Sequence, residues 1–445
     1  MKQIKKGELK QLNKTYKNNN VNLIARNALN RVSISDLVKN NTQSSSTQNN
    51  FSINLDTLKV TNQMQSGRCW IFAGLNILRE YTAKKYKLDD FELSQNFVSF
   101  YDKLEKCNYF LELMISLKDK PLDDRLLLHF LTNPIDDGGQ WNMFVNIIKK
   151  YGIVPKSVYP ETYQSENTTQ INVYLNRYLR KTTMLIRNSS NKKEIDRIKE
   201  QAVKDIYFIL CDAFGVPPTE FTFDFTNKKK KYHYGVLTTP KKFFNEYIGI
   251  NLNNFVSIIN SPTKDKPFNK AYEDIYLNNV AVGSKVRYLN LEMSRIKELS
   301  IKQLQDGHPV WFGSDCIKYG YFDKKGGLWD DKSYNEDLLF QVDTFLSKDE
   351  MLDYRESSMD HAMVLTGVNL VNGKPTKWKV QNSWGDTVGN KGYYVATNSW
   401  FDRFVYQVVI DKKYLTEKEL KAYEEQPIYL EPWDPMGSLA KNCLN

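Results

Sequence analysis

The feature that most constrains the fold is a change of hydrophobic period along the chain. Residues 66–86, 93–131 and 140–151 space their apolar side chains for helices. In the first stretch Trp70, Leu75, Ile77, Leu78 and Tyr81 supply a wide apolar face. After about residue 285 the pattern turns short and strand-like, as in Val310-Trp311-Phe312-Gly313, the run 362–368, Lys377-Trp378-Lys379-Val380-Gln381 and Gly392-Tyr393-Tyr394-Val395-Ala396. Helices followed by strands, without βαβ alternation, predict an α+β fold with a helical half and a β-sheet half. Between them lies a charged region, 165–215, poor in Gly and Pro, with a long helix expected over 192–214. Residues 221–237 alternate on both sides of a polar tip that carries lysines 228–231, which predicts a β-hairpin.

The ends read differently. Residues 1–50 are polar and Asn/Ser-rich, and the tract at 40–50 has no apolar periodicity, so a partly disordered arm is expected. Between its polar tracts, residues 21–38 keep helix-compatible spacing. A length of 445 residues sets a prior of two or three units. Aromatic residues make up 13% of the chain, enough to build a core. No apolar run reaches the roughly 18–20 residues needed to span a bilayer, so no membrane partner is expected. The start lacks an apolar core segment, so a secretory signal is not expected. Sixty-two Lys+Arg against 52 Asp+Glu leave a net charge of +10, read as a lysine-rich solvated surface or the mark of a polyanion partner.

Five cysteines at 69, 107, 211, 316 and 443 form no CxxC or Cys/His ligand pair. Their odd count and wide spacing argue against a disulfide framework or structural zinc, and favour a reducing compartment. Neither a metal nor an organic cofactor is expected. Cys69 stands apart from the others. It follows Ser66-Gly67-Arg68 at the first turn of an expected helix, where free N–H groups and partial positive charge favour a thiolate and can receive an oxyanion. Gln63, six residues earlier (69 − 63 = 6), can aim an amide at the same oxyanion. Among four histidines, His361 directly precedes the apolar strand Ala362-Met363-Val364-Leu365, a rigid mount for a base. His129, His233 and His308 read as helix, hairpin and turn residues. Asn382, in Gln381-Asn382-Ser383-Trp384-Gly385, lies 21 residues after His361 (382 − 361 = 21), so a hairpin can set them side by side. Its neutral amide can orient an imidazole without opposing a thiolate. Trp384 can cover that hydrogen bond from water.

At these residues the chain resembles the papain-like cysteine peptidases. Two departures narrow the resemblance. Ser66-Gly67-Arg68-Cys69-Trp70 lacks the cysteine that secreted members bond before the nucleophile. His361 follows Cys69 by 292 residues (361 − 69 = 292), against about 130–150 in the papain group, so roughly 150 residues are inserted. Both match the bleomycin hydrolase / aminopeptidase C branch, with the match closest to fungal members. Further similar motifs are Phe91-Glu92-Leu93-Ser94-Gln95, Asp136-Asp137-Gly138-Gly139-Gln140, His361-Ala362-Met363 and Pro432-Trp433-Asp434-Pro435-Met436-Gly437.

The resemblance implies a cytoplasmic enzyme, with a mitochondrial pool open, that removes N-terminal residues from peptides and cleaves amide analogues such as bleomycin. It implies Cys69 as nucleophile, His361 as base, Asn382 as orienter and Gln63 as oxyanion donor. Gly138 and Gly139 would hold the substrate backbone, unless they only serve a turn needing positive φ. The implied layout is a polar arm at 1–50, a helical lobe at 51–165 and a helical and hook insertion for oligomerisation at 166–285. A β lobe at 286–430 and an arm at 431–445, lying in the cleft, complete it. The hooks would build a homohexamer. The arm's terminal carboxylate, near Ala440, would meet the substrate's free amino group. Residues 441–445 extend past that point, which implies trimming, or a tail folded aside. Transglutaminase-like acyl transfer fits less well with Asn382 and Trp70. A single-stranded nucleic-acid-binding hexamer is the alternative of another class, motivated by the +10 charge, lysines 228–231 and the basic residues at 177–203.

Overall fold

The structure, a computed structural model, describes residues 1–40, 49–320 and 327–440. Most of the expected polar tract at 40–50 and the whole of 441–445, with Cys443, lie outside the described residues. The remainder of the polar arm is helical, over Lys6–Lys17, Asn20–Leu29 and Ile34–Val38.

The helical half is built around Cys69–Tyr86. Its first eleven residues are all buried, so it is a central helix covered on every side rather than an amphipathic surface one. Gln95–Ser116 and Trp141–Tyr151 pack beside it. The latter helix stops at Gly152, whose φ of +78° an L side chain rarely adopts. The expected helical stretch at 93–131 is two helices, broken before Arg125–Thr132, where Asp124 caps the second by accepting from Leu126 and Leu127 N–H.

The charged insertion forms the helices Thr169–Asn188 and Lys192–Phe214, which bury Leu175, Leu179, Ile206 and Leu210 against Gln95–Ser116. The expected hairpin is present as two nested antiparallel pairs, Phe221–Thr222 with Leu237–Thr238 and Phe225–Thr226 with Tyr232–His233. The lysine run occupies its exposed tip.

Among the described residues, the main sheet has eleven strands. Its centre is His361–Val371, flanked by Val310–Ser314 and Lys374–Gln381, all antiparallel. The turn at Asn372-Gly373 has both residues at positive φ, 51° and 75°, as a two-residue hairpin loop requires. That turn returns the chain so that Val364 pairs with Gln381, and the residues just past 381 arrive near His361. One difference from expectation concerns the boundary at 286. Phe255–Ile259 and Lys270–Asp274, placed in the insertion by the sequence, are strands of this same sheet. They are short and separated by turn-rich segments, which hides their period of two. The Cys69–Tyr86 helix packs directly on the His361–Val371 strand, so the two lobes meet at Cys69 and His361.

Candidate active site

Cys69 is the first residue of its helix, with Arg68 at the cap position. The loop before it is pinned from several sides. Arg68, almost wholly buried, pairs with Glu161 at 2.9 Å and donates to Ser66 Oγ at 2.9 Å. Gly67 N–H donates to Asp137 Oδ2 at 2.9 Å. Asp137 is itself a hub, receiving Lys103, Thr168 and Asn172. Burial alone would favour its neutral form, but the Lys103 ammonium and these donors hold it charged, well below the usual carboxyl range. This anchoring fixes Cys69 at a helix start whose own side-chain cap is missing.

His361 Nε2 lies 2.8 Å from Asn382 Oδ1. The same Oδ1 accepts the Ser383 N–H at 2.7 Å, which fixes the amide's orientation. An acceptor there requires the proton on Nε2 and leaves Nδ1 for the cysteine. Ala362 N–H donates to Cys69 Sγ at 3.4 Å. Burial of His361 works against the imidazolium, but the Cys69 side chain, followed by Asn382, more than offsets it and raises the affinity for the proton. Trp384 stacks on the imidazole with centroids 4.9 Å apart and planes 28° apart, covering it from solvent. Asn382 Nδ2 is buried without a hydrogen-bond partner.

Residues 61–63 zip onto 383–385. Gln63 N–H donates to Ser383 O at 2.8 Å, and Gly385 N–H to Thr61 O at 3.1 Å. Gly385 has φ +79°, and a Cβ there would stand 2.8 Å from Asn62 Nδ2, so this position requires glycine. The Gln63 side chain is oriented at both ends. Its Oε1 accepts from Ser383 Oγ at 2.6 Å, and its Nε2 donates to Ser66 O at 2.6 Å, leaving one amide hydrogen uncommitted. The orienting hydroxyl of Ser383 is a feature the sequence reading missed, although it sits inside a motif that reading singled out.

Gly138 and Gly139 adopt no positive φ, which removes the turn explanation for them. Close approach explains both. A Cβ on Gly139 would fall 2.4 Å from the Trp70 indole. One on Gly138 would fall 2.5 Å from Leu439 O and 2.9 Å from Ala440 Cα. The C-terminal segment Pro435–Ala440 therefore lies directly on the Gly138 backbone, and its last five residues are buried. Its root is held by Asp434 on the Lys266 ammonium at 2.8 Å and by Arg125 stacked 3.7 Å over Trp433. Ser438 Oγ donates to Met359 O at 2.7 Å and Tyr288 hydroxyl to Met436 O at 3.1 Å. A cavity of about 900 Å³ borders Ser438 and Ala440 but touches neither Cys69 nor His361.

Thus Cys69, His361, Asn382, Gln63 and Trp384 converge, and Gly138 meets Ala440. The other histidines serve packing. His233 stacks on Phe225 at 4.6 Å and His308 on Tyr81 at 5.2 Å, while His129 edges Trp433 at 6.0 Å. Among the described residues no cluster of His, Cys, Asp and Glu could hold a metal. No described helix is long and apolar enough to cross a membrane. Chemically, the arrangement can pair a thiolate with an imidazolium beside oxyanion donors in a water-poor site.

A family model described as Peptidase C1-like family matches residues 3–437. The chain is 49% identical over 397 residues to an aminopeptidase C of Lactobacillus delbrueckii subsp. lactis, covering 88% of each chain. It is 43% identical to an aminopeptidase C of Listeria monocytogenes, covering 97% and 98%. It is 41% identical to the bleomycin hydrolase of Gallus gallus, covering 86% of each. The crystal structure of PepW from Lactobacillus superposes with a TM-score of 0.94 at 45% identity, covering 98% of this chain and 99% of that one.

Proposed function

The chain belongs to the Peptidase C1-like family and is a cysteine-type aminopeptidase, and from that premise we propose that Cys69, His361, Asn382 and Gln63 carry its reaction. The observation that carries the reading is the buried chain from Cys69 through His361 to Asn382, with Nε2 held 2.8 Å from an amide oxygen. In the proposed mechanism the Cys69 thiolate attacks the first peptide carbonyl. The Gln63 amide and the Cys69 backbone N–H receive the oxyanion. The His361 imidazolium gives its proton to the leaving amine, and the neutral ring then activates the water that frees the acyl group.

The Pro435–Ala440 segment serves as the ruler. Seated on Gly138, it fills the path that a longer substrate would follow, so the enzyme accepts a peptide with a free N-terminus. Residues 441–445 would have to be removed, or to turn aside, for a carboxylate to meet that amine. Self-association into a hexamer is supported by apolar side chains exposed on the insertion. They include Tyr174, Met184 and Phe208 on its helices and Tyr234, Val236 and Leu237 on its hairpin. Cys69, Cys107, Cys211 and Cys316 form no disulfide, which suits work in a reducing, cytoplasmic setting.

The test uses two fluorogenic amides, one with a free N-terminus and one acetylated. Cleavage of the free form alone, abolished in Cys69→Ala, is the expected result. Equal cleavage of both would remove the ruler, and unchanged activity in Cys69→Ala would remove the mechanism. Intact mass of the active enzyme reads the fate of residues 441–445.

A further inference from the structure

One edge of the site is occupied by groups that this mechanism does not use. Val310–Ser314 and His361–Val371 are antiparallel with Ser314 opposite His361. Extending that register by one residue sets Asp315 opposite Asp360, immediately before the imidazole. Two carboxyls thus face each other, with Asp315 buried and Asp360 only partly exposed. Like charges placed this way oppose one another, and one of the two keeps its proton.

The hydrogen bonds identify which one. Asp360 accepts backbone N–H groups from Cys316 at 2.8 Å, Ile317 at 3.1 Å and Lys318 at 3.4 Å, a set that favours the anion. Asp315 accepts only the Ser357 hydroxyl at Oδ2, at 2.6 Å. Its Oδ1 is buried without a partner, the place for a proton donated to Asp360. Burial, then the Asp360 charge, hold the Asp315 carboxyl well above the ordinary range. The Ser357 hydroxyl is in turn bonded to Tyr406 at 2.7 Å.

The charged and titratable groups facing the pair are His361, Lys318, the Cys316 and Cys69 thiols, Tyr406 and, through Tyr406, Arg403. Lys318 is tied to Glu356 at 2.6 Å. Burial, then the adjacent acid pair, hold the Cys316 thiol up, so it stays neutral. The nearest cationic group able to answer a change in the pair's charge from within the site is His361.

We propose that Asp315 and Asp360 share one proton and maintain a single negative charge beside His361, acting as positioning residues that set the alkaline limit of its imidazolium. The inference rests on His361 being the base. On the alkaline side the shared proton leaves to solvent, a second negative charge forms, and His361 holds its own proton to higher pH. Asp315→Asn keeps a donor toward Asp360 and removes that step. The alkaline limb of kcat/KM then falls earlier by about one pH unit, near tenfold in rate on that limb.

Superimposable profiles overturn the proposal. So does a uniform loss at every pH, the mark of a merely structural role. A second readout is independent of activity. Infrared difference spectra of wild type minus Asp315→Asn at neutral pH show a protonated-carboxyl stretch, and its absence overturns the acid pair. If that variant does not fold, Ser357→Ala, which removes the hydroxyl on Asp315, shifts the band in an otherwise native enzyme; an unmoved band overturns the pair. Wild-type inactivity at every pH would strike the peptidase reading alone, and the infrared band would still decide the pair.

Discussion

Adding one methyl at Gly138 should convert part of the exopeptidase activity into cleavage of blocked peptides. A Cβ there would stand 2.5 Å from Leu439 O, 2.7 Å from the Ala440 carbonyl carbon and 2.9 Å from Ala440 Cα. An ordinary carbon–oxygen contact begins near 3.3 Å, so the segment must retreat by about 0.8 Å. All three obstacles are backbone atoms, which cannot rotate out of the way. Overpacking of this kind costs about 1–3 kcal/mol. Opposing release of the root, Met436 is fully buried and contributes roughly 1.5–3 kcal/mol, and Asp434 is paired with Lys266 at 2.8 Å. The anchors win, so the root of the arm stays and its last residues yield. Displacing the ruler by about 1.4 kcal/mol lowers turnover of the free-N-terminus amide about tenfold. At the same time cleavage of the acetylated amide rises from background. The assay is paired kcat/KM on the two amides, with circular dichroism and a thermal midpoint to establish folding. Gly139→Ala is the control, because its methyl meets Trp70 at 2.4 Å and not the arm. It should lower both activities and leave their ratio unchanged. A folded Gly138→Ala enzyme with the wild-type ratio would refute the reasoning.

Other perturbations probe the remaining parts. Gln63→Ala should cost about 10²–10³ in kcat with little change in KM, measured by steady-state kinetics. Ser383→Ala frees the Gln63 amide that its hydroxyl holds at 2.6 Å, and should cost about tenfold in kcat by the same assay. Asn382→Ala removes the acceptor that fixes the His361 tautomer, and should lower kcat/KM by about 10² or more while Cys69 alkylation by iodoacetamide slows. Because the folded state raises the proton affinity of His361, its imidazolium persists above the ordinary histidine range. The alkaline limb of kcat/KM should therefore lie above about 6.5, and a limb at or below it refutes the ion pair. The linked stability is full below the unfolded value and is lost as pH rises through the folded one, which thermal midpoints across that window report.

Much of the architecture is written locally. A helix that begins at a Ser-Gly-Arg turn, a strand that begins at His361 and a two-residue Asn372-Gly373 turn are short-range statements, since capping, period and turn chemistry act within a few residues. From these the pairing of His361 with Asn382 is legible, as is the segregation of helices from strands; Cys69, 292 residues from His361, joined them only through the family resemblance. The hairpin at 221–238 is legible for the same reason.

What the sequence does not carry is partnership across long separations. That Asp137 would anchor the loop before Cys69, or that Ser383 would orient Gln63 320 residues away, follows from which surfaces pack together. No periodicity signals such a pairing. The strands Phe255–Ile259 and Lys270–Asp274 were hidden in the same way, because a five-residue segment becomes a strand only when neighbours on both sides complete its ladders. Gly138 and Gly139 show the contrast most directly. As letters they read equally as a turn, and only the indole on one and the chain's own C-terminal backbone on the other make a missing side chain necessary. The acid pair, too, exists only in register: Asp315 and Asp360 are ordinary surface residue types until the sheet sets them face to face away from water. Residue identity thus determined the chemistry available to this protein, and tertiary packing, through burial and close approach, decided which of it could be used.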